Sequence, residues 1–151
     1  MIINITCHIV SLARKIKKIG SFTKLLTETQ IPKEIKNEKD INQFWNGFYK
    51  LKKVMGKNKV PFFRSTTSLL HFLLETGYDC VKPDLVVMKV SKKIGIVDKE
   101  EGEKNLIETV QAIQKYSVER KLRPSIVDLY FLIDGGQLGA KKFARNEFYK
   151  K

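Results

Sequence analysis

Residues 62 to 95, FFRSTTSLLHFLLETGYDCVKPDLVVMKVSKKIG, place one carboxylate, Asp84, behind a Lys-Pro pair and at the head of an apolar helical pattern. Elementary chemistry allows it two roles. As an N-cap, its side chain accepts hydrogen bonds from the first helical amides and its charge suits the positive end of the helix dipole. As a catalytic carboxylate, it has to face an open pocket beside a basic surface. Other reactive side chains are few. His71 lies amid the apolar residues of the preceding helical pattern, which fits a partly buried helix position better than a general base, and His8 stands near the start. Cys80 has no identifiable His or basic cluster to activate its thiol and reads as structural. Cys7 and Cys80 offer neither a disulfide framework nor a Cys/His set for zinc, and they fit the reducing cytoplasm. The DGGQLG stretch at 134 to 139 follows a helical pattern rather than a strand, so neither a nucleotide loop nor any cofactor is expected.

The chain has 151 residues, 42% hydrophobic and 30% charged, which bounds it to one ordinary globular domain able to bury a core. Its charge is less ordinary. Lys and Arg number 29 against 16 Asp and Glu, for a formal net charge of +13, the footprint of a partner that carries phosphates. Lysines spread along the chain also serve plain solubility. The opening MIINITCHIV is too short to span a bilayer and lacks a charged lead, so no membrane or targeting segment is expected. It runs almost directly into an amphipathic pattern, as if the chain began part-way through a longer fold.

Apolar spacing predicts helix after helix and no strand series, hence a single all-α domain over 1 to 151 with six to seven helices. Leu12, Ala13, Ile16 and Ile19 form a first pattern before Gly20, and Ser21 is placed to cap a short helix through Phe22, Leu25 and Leu26. Asp40 is the expected cap of a helix facing inward with Ile41, Phe44, Trp45, Phe48 and Leu51 and ending at Gly56. Ser65 or Thr66 opens the next, through Leu69 to Leu74, and Asp84 opens another with Val86, Val87, Val90 and Ile94 inward. Asp98 with Glu101 resembles a capping box for a long helix that ends before Pro124. Ser125 and Asp128 repeat that signal for a helix stopped by Gly135 and Gly136, and a basic tail with interspersed aromatics follows; residues 98 to 150 thus form the C-terminal helices.

The order of a helix from Thr66, then Gly77, a short link, Pro83-Asp84 and LVVMKVSKKIG resembles the core of the helix-hairpin-helix DNA glycosylase superfamily. There a link ending in Asp leads into a helix of the form D-x-H-V-x-R-V. Here Asp84, Val87, Lys89 and Val90 fit, and Val86 replaces the His. GSFTKLL at 20 to 26 and FFRSTTSLLHFLLETG at 62 to 77 are similar to a G-S-F segment and a helix of the methyladenine glycosylase branch. The similarity covers roughly residues 12 to 95, with 62 to 95 as the hairpin-like core.

That resemblance implies a flipped base, a basic face on the phosphate backbone of double-stranded DNA, and hydrolysis of the N-glycosidic bond of a damaged base such as an alkylated one. Asp84 would be the catalytic carboxylate, stabilising positive charge on the sugar or orienting water. Lys57, Lys59, Arg64, Ser65, Thr66 and Lys82 would contact phosphates, and Trp45 and Tyr49 would line the base pocket, with Phe44 and Phe48 nearby. The chain departs from the pattern in three places. Arg64 stands where the hairpin's glycine turn is expected. Thr66 or Thr67 replaces the lysine nucleophile of bifunctional members, which implies a monofunctional enzyme. The branch's zinc ligands and acidic pocket residue have no counterpart. A second possibility from the same residues is a helical DNA-binding protein without catalysis, in which Asp84 is only a cap.

Overall fold

A computed structural model describes residues 20–136 together with Arg14, Lys15 and Lys17, which are helical. The first predicted helix, Cys7, His8 and the C-terminal tail otherwise lie outside the described residues. Those residues contain six helices and no strand: α1 Phe22–Thr29, α2 Glu38–Lys57, α3 Thr66–Glu75, α4 Leu85–Lys93, α5 Glu103–Arg120 and α6 Pro124–Asp134. The all-helical class expected from apolar spacing is the one observed.

Helix α2 shows why the pattern folds as it does. Its buried residues Ile41, Phe44, Trp45, Phe48, Leu51 and Met55 recur every three or four positions and form one stripe. Phe44, Phe48, Leu51 and Met55 have no exposed surface. Each such side chain contributes roughly 1.5–3 kcal/mol on removal from water. The stripe packs on α1 and α5. Helix α5 is the common support, because it also meets α3, α4 and α6, while α4 and α6 pack on each other. One core runs through all six helices, from Leu25 and Leu26 of α1 to Val127 of α6.

Helix starts differ from expectation where a better cap lies close by. Asn37, not Asp40, caps α2, and Asp40 is the third helical residue of a reciprocal capping box in which each side chain accepts from the other's main-chain N–H at 3.1 Å. Helix α5 begins at Glu103 after Gly102, whose φ of +93° suits glycine and breaks the pattern, so Asp98 and Glu101 cap nothing. Pro124 occupies the first turn of α6, where its missing N–H is harmless and its φ is already helical, so Ser125 and Asp128 are inside the helix. Ser21 stands at the N-cap of α1 without a side-chain cap bond. Helix α2 passes through Gly56 to Lys57. Ile94, expected inward, is 55% exposed because α4 stops at Lys93; Met88 and Ser91 take the buried positions beside Val87 and Val90.

The α1–α2 link crosses α2 at Gly47, and only a glycine leaves room. A Cβ there would lie 2.6 Å from Ile31 Cγ1 and 2.7 Å from the Thr29 carbonyl oxygen. Gly47→Ala is therefore expected to destabilise the fold by ~1–3 kcal/mol despite the better helix propensity of alanine. Urea unfolding followed by circular dichroism measures it, and an unchanged or higher midpoint would refute the close crossing.

Candidate nucleic-acid interface

Asp84 is the N-cap of α4. Its Oδ1 accepts from the Val86 and Val87 amides at 3.0 and 3.1 Å, so local chemistry alone accounts for half the carboxylate. Its Oδ2 lies 3.9 Å from Lys82 Nζ, and the side chain is one-quarter exposed. A second carboxylate, Asp128 of α6, is buried nearby, with Oδ1 lacking any hydrogen-bond partner among the described residues. Burial pushes the Asp128 carboxyl up to about 7, aided by the Asp84 charge and opposed by the main-chain N–H and ammonium of Lys82. The described residues thus place the cap near a buried carboxyl that holds its proton more tightly than usual. None of the three clefts described below includes Asp84 or Asp128 in its lining.

The expected phosphate contacts separate into two groups. Lys57, Lys59 and Arg64 are exposed along the α2–α3 loop, and no carboxylate among the described residues pairs with them. Phe62 in the same loop is 55% exposed and held at φ +68°, a conformation that bulky side chains rarely adopt. Ser65 is partly committed, since it caps α3 by accepting from the Ser68 amide at 3.1 Å. Thr66 is buried. It accepts from Lys52 Nζ and donates to Glu103 Oε1, each at 2.9 Å, within a Lys52–Thr66–Glu103 cluster that ties α2, α3 and α5 together. Hydrogen bonds from Lys52 and Thr66 hold the Glu103 carboxyl below its usual range. Lys82 is half-buried and faces Asp84 at the far end of α3 from the loop.

The two expected base-pocket residues also part. Trp45 is buried, and its indole N–H donates to Gln114 Oε1 at 2.8 Å, with Phe44, Phe48 and Tyr49 around the ring. Its faces are spent on packing and are not offered to a base. Tyr49 is 46% exposed on the outer side of α2. Cys80 is buried, donates to the Leu70 carbonyl, and has its thiol pKa raised by burial, which makes it inert. His71 pairs with Glu75 one turn along α3.

Helix α2 carries a feature that attention to its apolar face conceals. Lys39, Asn42, Asn46, Lys50, Lys53 and Lys57 are all exposed and recur at intervals of three or four residues, opposite the buried stripe. At 1.5 Å per residue the row is about 27 Å long. Acidic residues on α2 are confined to Glu38 and Asp40 in its first turn, and none of these lysines has a carboxylate partner among the described residues. A shallow cleft of about 340 Å³ runs along it, lined by Lys39, Asn42, Asn46 and Lys50 and closed by Thr29 and Gln30 at the end of α1. The signal was present in the sequence as the complement of the apolar stripe.

Two larger clefts lie elsewhere. One, of about 550 Å³, is formed by the 33–36 link, Gly77, Asp79 and residues 117–123. The other, of about 690 Å³, is apolar and lies among Ile94, Ile96, Tyr116, Leu122 and Phe131. Among the described residues no group of three His, Cys, Asp or Glu side chains is placed to hold a metal ion, and no helix is long and apolar enough to cross a membrane.

Asp128 gives the fold a pH dependence with a definite sign. A carboxyl with a folded pKa near 7, against 3.8 in the ordinary range, binds its proton more tightly when folded. Its contribution to stability is complete below about pH 4 and is lost as pH rises through 7. Asp128→Asn removes this titration, so the variant's stability relative to the parent should rise by ~2–4 kcal/mol between pH 4 and 8. Chemical unfolding of both proteins across that range tests it; a constant difference would show that Asp128 does not titrate there. No family model, curated protein or solved structure compared with the chain matches it, so the chemistry of the site has to be drawn from its own residues.

Proposed function

We propose that the chain is a non-catalytic helical DNA-binding protein that lays the outer face of α2 and the following basic loop along the phosphate backbone of a duplex. The observation that carries this is the acid-free row Lys39, Asn42, Asn46, Lys50, Lys53 and Lys57, continued by Lys59 and Arg64. Lysines without carboxylate partners keep their charge for an external anion, and phosphate neutralisation with release of counterions supplies most sequence-independent affinity. The asparagines interleaved between them carry both donors and acceptors, the type of group that reads base edges. A row about 27 Å long spans roughly eight base-pair steps, enough for several phosphate contacts.

The Asp84 geometry favours this over base excision, because a cap needs only its own helix amides and those are the amides it holds. One observation speaks for the second reading, a monofunctional glycosylase: the buried Asp128 near Asp84 has its carboxyl pushed up to about 7, and a carboxyl with raised proton affinity is common at acid–base sites.

Anisotropy titrations of a labelled duplex at several salt concentrations test the first reading. Binding should weaken linearly in log–log form, and Lys50→Gln/Lys53→Gln/Lys57→Gln should lower the slope by ~2–3. Unchanged affinity and slope in the triple variant would exclude α2 as the contact face. Asp84 is tested separately. Asparagine caps as well as aspartate, so Asp84→Asn should fold with near-parental stability, whereas Asp84→Ala should lose ~1 kcal/mol. Neither parent nor Asp84→Asn should release a base from duplexes carrying alkylated, deaminated or oxidised bases. Release by the parent that vanishes in Asp84→Asn would replace the binding-only function with base excision.

A further inference from the structure

The cleft between the 33–36 link and the α5–α6 turn is assembled around one buried residue. Asp79 is 2% exposed, and it holds both walls. Its main-chain N–H donates to the Lys33 carbonyl at 2.7 Å, fixing the first wall. Its Oδ1 accepts from Arg123 Nε at 2.8 Å and from Ser125 Oγ at 3.4 Å, fixing the second. The arginine side chain is itself 64% exposed, and its Nε edge is the part engaged with Asp79, so the two terminal amino groups of the guanidinium remain for another acceptor. Lys121 stands two residues earlier in the left-handed conformation at the end of α5, which turns the chain into the cleft's rim.

Four cations, Lys33, Lys36, Lys121 and Arg123, line this cleft against two carboxylates, Glu34 and Asp79. Lys36 pairs with Glu34 at 2.5 Å and Arg123 with Asp79. Lys33 and Lys121 have no carboxylate partner among the described residues, and Lys33 Nζ lies 6.0 Å from the centre of the Tyr78 ring. Two positive charges are therefore in excess. Ile35, Val118 and Leu122 add an apolar side to the same cleft, whose volume of about 550 Å³ is that of a small-molecule site.

We propose that this cleft is a binding site for a phosphomonoester, with Arg123 as a pre-oriented fork for two phosphate oxygens and Lys33 and Lys121 as flanking charges. A phosphomonoester carries close to two negative charges at neutral pH, which matches the excess, whereas a phosphodiester or a sulfate ester carries one. A guanidinium already held from behind loses little freedom on binding, and it matches two oxygens of a tetrahedral anion in a way that lysine does not. The apolar side receives the organic group. The site is separate from the α2 row and does not depend on it; its source of phosphate is either a small metabolite or the 5′-phosphate end of a nucleic-acid strand.

The test is titration of the ¹⁵N-labelled chain with phenyl phosphate, with phenyl sulfate as the single-charge analogue. Saturable shifts are expected at the amides of residues 33–36, 77–79 and 117–123, with phenyl sulfate bound about tenfold more weakly. Lys33→Gln and Lys121→Gln break no ion pair among the described residues and should each weaken phenyl phosphate about three- to tenfold, and Arg123→Gln more. Lys99→Gln, in the α4–α5 link, should leave the titration unchanged. Arg123→Gln strips the buried Asp79 of its cation, so the lysine variants carry the decision should it fail to fold. Absence of saturable shifts at these amides, or equal affinity in Lys33→Gln, Lys121→Gln and the parent, would overturn the site. Duplexes with a 5′-phosphate or a 5′-hydroxyl then identify the source: preference for the phosphate assigns the cleft to strand ends, and equal binding alongside saturable phenyl phosphate assigns it to a small ligand.

Discussion

The hydrogen bond from Trp45 to Gln114 joins the two helices on which the rest of the fold is assembled. Helix α5 touches four of the other five helices, and α2 supplies the largest fully buried aromatic surface, so the register between them sets the position of everything else. A buried indole N–H without an acceptor would cost the desolvation of that group, and Gln114 Oε1 supplies the acceptor at 2.8 Å. The same constraint dictates what Trp45 cannot do. A ring pinned on its N–H and packed against Phe44 and Phe48 has no face left for a ligand, and only Tyr49, one step around the helix, reaches solvent. Because the aromatic stripe faces α5 and α1, the lysine and asparagine row of α2 must face outward. Core packing thus determines which side of the helix is presented to solvent.

The buried polar groups concentrate around α5 and the 76–84 link. Thr109 Oγ1, Gln114 Nε2 and Asp128 Oδ1 lack hydrogen-bond partners among the described residues, an arrangement that lowers stability unless another group satisfies them. Around the link the acidic groups are handled in different ways. Asp79 is matched by Arg123, Asp84 by two helix amides and a distant Lys82, and Asp128 by protonation. A chain with a large excess of positive charge nevertheless buries carboxylates where segments cross, because each carboxylate can accept from amides or guanidinium groups that a crossing brings together. The excess lysines are left on outer faces.

Much of this was legible from spacing. The apolar stripe of α2, the Ser65 and Asp84 caps and the stop at Gly135 follow from local rules that depend on neighbours within one turn. Cap choice was less legible wherever two candidates stood three residues apart. Asn37 and Asp40 satisfy the same motif in opposite roles, and a glycine at 102 or a proline at 124 outranks an acidic residue close by through backbone conformation. Thr66 was expected to face DNA, yet it is buried because Glu103, 37 residues away, reaches it. The pairing of Asp128 with Asp84 and of Asp79 with Arg123 likewise joins elements that only tertiary packing brings together, so no local pattern announces them.

Asp84 shows how one sequence pattern serves two physical roles. A helix cap and a catalytic carboxylate at a helix start both require an acid directly before an apolar helical run, and the preceding proline sets the same extended approach for both. The sequence letters are therefore equally compatible with either. What distinguishes them is the second oxygen: a cap can leave it to solvent, whereas catalysis needs it aimed at a cavity large enough for a sugar and its leaving base. Here Oδ1 is taken by two amides, Oδ2 looks toward Lys82 across 3.9 Å, and the carboxyl that feels its charge, Asp128, is buried rather than in a cleft wall. The excess positive charge, by contrast, is displayed on surfaces that can meet an anion without rearrangement. The lysine row of α2 and the Arg123 cleft hold cations without carboxylate partners among the described residues, and Asp84 holds the first amides of α4.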